Sequence, residues 1–73
     1  MRNLTAKQEE LWNAANEAAK SFPGGIPGLR RQNRAAAQIE GSREWAALQV
    51  VAMPNNYEMF TDEFCQKLLD CLT

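Results

Sequence analysis

Five of the six residues from Pro23 to Gly28 are proline or glycine, with Ile26 the exception. Two prolines and three glycines so close together cannot continue a regular helix and require turn conformations. Pro23–Gly28 is therefore read as a connection that cuts the chain into a part before it and a part after it. Six residues is an ordinary length for a helix–helix connection. Ile26, in its middle, is expected to plug the loop onto a core.

Before the cut, the spacing predicts one helix over about 5–22. Thr5 with Gln8 three residues later fits a capping box, in which each side chain takes an orphan backbone donor. At about 100° per residue, Leu4, Leu11, Ala15, Ala18, Ala19 and Phe22 fall in one stripe, with Trp12 and Ala14 at its margins. Glu9, Asn13, Asn16, Glu17 and Lys20 take the opposite side. The alanines let a neighbouring helix approach closely, and Trp12 is expected to cap the core.

After the cut, a second helix is predicted over about 29–39 on propensity, with Leu29, Ala36 and Ile39 as its apolar seam. Arg30, Arg34 and Gln38 line its polar face at four-residue steps, with Arg31 beside them. Gly41 reads as a stop and Ser42 as the cap of the next element. Residues 43–53 are almost continuously apolar, so this element is buried on most sides. Val50-Val51 is strand-like, but the length, the alanines and the Ser42 cap favour a helix that Pro54 ends. A last helix is predicted over about 61–72, capped by Thr61, with Asp62 and Glu63 in its first turn and Phe60 and Cys65 at the positions of a hydrophobic staple. The expectation is an all-α domain of four short helices, one domain over 1–73.

Composition then narrows the function. With 73 residues and no histidine there is no imidazole base, no Cys-His or Ser-His couple and no histidine-bearing metal site. Cys65 and Cys71 are six apart in one helix, about 120° around the axis and about 9 Å along it. Those positions cannot close a disulfide, whose Cα atoms lie below about 7 Å apart. Two thiolates without other soft ligands also make a poor zinc site. No apolar run approaches the roughly 20 residues of a membrane span, and the first residues do not resemble a signal peptide. A cytoplasmic protein with no cofactor, no metal and no catalytic residue is expected, and no membrane partner.

The formal net charge of −1 is a cancellation. Residues 1–36 carry six basic and three acidic side chains, a net of +3; residues 37–73 carry two and six, a net of −4. The positive part gathers beside the glycines. Gly24 and Gly25 free backbone N–H groups to point together, and Arg30, Arg31 and Arg34 add planar donors suited to phosphate or carboxylate. The bland account of the same residues is a solvated helix face paired with Glu40, Glu44 or the acidic half.

A helix-turn-helix over Asn33–Ile39, Glu40-Gly41-Ser42 and Arg43–Met53 has small residues at Ala37 and Gly41 where the motif wants them. It fails on its second helix, which is too apolar to read bases. Tyr57, Met59 and Phe60 put three bulky side chains in one connector, as interface anchors do, although Phe60 also serves the staple.

The sequence thus points to a small non-enzymatic interaction module, a regulator, adaptor or inhibitor that binds a larger protein. Its contact residues would be Arg30, Arg31, Arg34, Gln38, Tyr57 and Met59. Binding of nucleic acid or a phosphate ligand through Gly24, Gly25 and the arginines is the alternative, and assembly as a homo-oligomer a third. Accessory proteins of bacteria and phages are often chains of this kind, which is a base-rate expectation only.

Overall fold

Thr5 starts the first helix as its spacing to Gln8 predicts. Its hydroxyl accepts from the Gln8 N–H and the Gln8 side chain accepts from the Thr5 N–H, both at 3.1 Å. The computed structural model describes residues 4–73; Met1, Arg2 and Asn3, which enter the charge count and the reading of the first residues, lie outside the described residues. Helix α1 spans Ala6–Ala19, followed by α2 over Gly25–Arg31, α3 over Arg34–Ala37, α4 over Arg43–Val50 and α5 over Asp62–Leu72. Two single 3₁₀ turns, Met53–Asn55 and Tyr57–Met59, connect α4 to α5. The fold is all-α, with five α-helices and no strand among the described residues.

The apolar stripes meet as helical periodicity dictates. Leu11, Ala15 and Ala18 from α1, Ala46, Ala47 and Val50 from α4, and Cys65, Leu68, Leu69 and Leu72 from α5 are buried in one cluster with Phe22, Leu29, Ala37, Met53 and Phe60. Helices α1, α4 and α5 pack on one another, and α2 and α3 form a second layer against α4. Helix α4 is therefore the hub, and the run 43–53 is a helix and not a strand. It ends at Val50, three residues earlier than expected, because Val51 and Ala52 tighten into turns that bring Met53 into the core. Trp12 and Trp45 pack half-buried against the cluster.

The boundaries on either side of the glycine turn also differ from the sequence reading. Helix α1 stops at Ala19, and Ser21 and Phe22 continue it only as turns that bond back to Ala18 and Ala19. Pro23–Gly28 is not a loop throughout, since helix α2 begins at Gly25. Pro27 lies in its first turn, where the missing N–H removes no intrahelical bond. Gly24 and Gly25 turn the chain with φ of 74° and 66°. Ile26 is half-buried and lies outside the core cluster.

The expected helix over 29–39 is two helices broken at Gln32 and Asn33. The N–H groups of both residues converge on the Gly28 carbonyl, at 2.7 and 3.0 Å, and Asn33 leaves helical geometry. The break turns the second piece so that Ala37, rather than Ile39, meets α4. Ala37 is buried, whereas Ile39 is 63% exposed and is no part of the seam.

Candidate binding surface

Packing of α2 and α3 across α4 leaves a groove on either side of Arg30. The first, of about 260 Å³, is lined by Ile26, Pro27, Arg30, Arg31 and Val51. The second, of about 380 Å³, is lined by Leu29, Arg30, Arg34, Ala37, Gln38 and Leu48. Despite the break in the helix, Arg30, Arg34 and Gln38 thus share one groove, and Arg30 stands between the two. Each groove has apolar residues among its lining and guanidinium groups at its edge.

The groove arginines differ from the other described basic residues in what they touch. Lys7 pairs with Glu10 and bonds Gln66; Lys20 pairs with Glu17 at 3.2 Å; Lys67 pairs with Glu40 at 3.5 Å and lies over Trp45. Arg43 bonds Ser21 and lies 5.5 Å from the centre of the Phe22 ring. Among the described residues, the side chains of Arg30, Arg31 and Arg34 take part in no ion pair, hydrogen bond or ring contact. The intramolecular pairing with Glu40 or Glu44 that would make them a neutralised face is therefore absent there, and Glu40 is engaged by Lys67. The position of Arg30 and Arg31 in the last turn of α2 suits the helix dipole, which accounts for their sign but not for the grooves.

The glycine corner is occupied differently from expectation. The Gly25 N–H donates to the Phe22 carbonyl at 2.9 Å, and the Gly28 N–H donates to Gly24. These groups serve the turn and the first bond of α2, so the paired free donors expected of an anion-binding corner at Gly24 and Gly25 are not formed.

Tyr57 lines a third concavity, of about 420 Å³, with Pro54, Asn55, Asn56 and Glu58. It shares no residue with the arginine-edged grooves, so the two expected contact clusters are separate features. Tyr57 is 36% exposed and Met59 62% exposed. The Asn56 amide donates to the Met59 sulfur at 3.2 Å. Phe60 is buried, with its ring centre 5.1 Å from that of Phe64, and Cys65 completes the staple beneath it.

Sequence reasoning missed what holds this connector. Gln8, 6% exposed, donates its amide to the carbonyls of Tyr57 at 3.2 Å and Phe60 at 3.0 Å. One side chain therefore completes the capping box of α1 and fastens the end of the second 3₁₀ turn. The glutamine of a capping box was visible; its reach of 49 and 52 residues was not.

Cys65 is buried, and its thiol donates to the Phe60 carbonyl at 3.5 Å. Burial pushes its pKa up, the Asp62 charge adds to the rise, and Lys7 opposes it. Such a thiol is a poor nucleophile. Among the described residues no group of histidine, cysteine, aspartate or glutamate is placed to hold a metal ion, and no helix is long and apolar enough to cross a membrane. No protein-family model matches the chain, and no significant match is found among curated proteins or solved structures.

Proposed function

We propose that this protein is a non-enzymatic interaction module that acts by occupying an acidic surface on a larger protein with its α2–α3 face. The observation that carries the reading is the contrast among the basic side chains: Lys7, Lys20, Arg43 and Lys67 are engaged within the fold, whereas Arg30, Arg31 and Arg34 are not. Leaving three guanidinium groups unpaired beside apolar grooves suits a partner that brings both carboxylates and apolar side chains. The two free thiols, Cys65 buried and Cys71 half-buried, support placing the module in a reducing, cytoplasmic setting.

A protein partner is favoured over nucleic acid by the grooves themselves. Their linings hold isoleucine, leucine, valine and alanine, with no aromatic ring on which a base could stack. The test is capture of a dominant protein by the tagged chain, repeated with Arg31→Glu and with Arg34→Glu. Each reversal is expected to weaken capture at least tenfold while the circular dichroism spectrum stays unchanged. Capture that survives both reversals would remove this face from the function. Salt-sensitive retention of nucleic acid in place of a protein would favour the phosphate-binding alternative.

A further inference from the structure

The grooves need an occupant with exposed apolar side chains set among carboxylates, and one such segment is present on this chain. Tyr57 and Met59 are exposed on either side of Glu58, and Asp62 and Glu63 follow at the start of α5. None of these three carboxylates forms an ion pair among the described residues. The dipole of α5 explains the sign of Asp62 and Glu63; it explains neither Glu58 nor a methionine left 62% exposed. The segment does not fill the grooves of its own copy, because Gln8 ties the Tyr57 and Phe60 carbonyls to α1 and neither Tyr57 nor Met59 lines a groove.

We propose that a second copy of the chain docks its Tyr57–Glu63 segment onto the arginine-edged grooves, with Met59 against half-buried Leu48 and Glu58 against Arg30 and Arg34. The two complementary patches are different surfaces of one molecule, so the contact is head-to-tail. Such contacts extend into chains or close into rings, the smallest being a reciprocal pair. The contact patch is small and its charges lie at the surface, so association is weak and sensitive to salt. The inference shares the arginine face with the proposed function but not the identity of the partner.

Sedimentation velocity tests it, from about 10 μM to about 1 mM protein in roughly 20 mM salt, conditions in which surface charges are little screened. The weight-average mass is expected to climb above the 8.2 kDa of one chain with concentration, and to return to it in about 0.5 M salt. Two variants then separate the patches. Arg30→Glu with Arg34→Glu removes the receiving face, and Glu58→Lys with Met59→Ser removes the docking segment. Each alone is expected to stay monomeric, and an equimolar mixture to double in mass and go no further, since one intact face of each kind remains. A wild-type chain that stays monomeric throughout at low salt overturns the inference and leaves partner binding by the same face standing. Folded variants that associate alone, or that fail to pair when mixed, overturn it as well.

Discussion

Gln8 carries more of the structure than any other polar side chain described, because its amide completes a cap and satisfies two carbonyls of a connector about fifty residues away. Replacing it with leucine removes that donor from the buried Phe60 carbonyl and the part-buried Tyr57 carbonyl, which costs about 1–3 kcal/mol. Urea unfolding of Gln8→Leu is expected to show that loss, and hydrogen exchange to show the 57–60 segment opening first; unchanged exchange there would refute the assignment. Gly28 is constrained in another way, since a Cβ on it would sit 2.0 Å from the Pro23 carbonyl oxygen. Gly28→Ala is expected to lower stability by about 1–3 kcal/mol through overpacking, measured in the same titration. Cys65 sets a pH dependence. Its folded pKa is raised, so its contribution is fully present below the ordinary thiol value of 9.0 and is lost as pH rises past that value towards the folded pKa. Stability above about pH 9 is expected to fall more steeply in the wild type than in Cys65→Ala, and parallel curves would exclude the thiol as the cause.

At the scale of elements, what could be read from the residues was whatever local rules decide. Thr5, Ser42 and Thr61 cap α1, α4 and α5 as their spacings predict, because an i to i+3 hydrogen bond depends on nothing distant. The Phe60–Cys65 staple was legible for the same reason. The break between α2 and α3 was not, since no glycine or proline marks it. It arises where Leu29 and Ala37 are both buried beside α4, which is a tertiary demand on a locally acceptable helix. Ser42 shows both sides of this limit: its cap to Trp45 was readable, and its hydroxyl bond to the Ala36 carbonyl, which fixes α3 against the start of α4, was not. The candidate surface divides likewise. The four-residue steps of Arg30, Arg34 and Gln38 presumed a continuous helix; that the three share a groove across the break, with no ion pair among the described residues and with apolar lining, emerged only once α4 was beneath them.

Over the whole molecule, the first and last helices are neighbours: α1 packs directly on α5, and both pack on α4. The consequence is kinetic and concerns biosynthesis. A nascent chain that has made α1 holds Leu11, Ala15 and Ala18 without their α5 partner until Leu72 has been added. At about 5–20 residues per second that interval lasts a few seconds. During it α4 can cover only part of the apolar stripe of α1, so the core can be completed only after nearly all of the described residues have emerged from the ribosome.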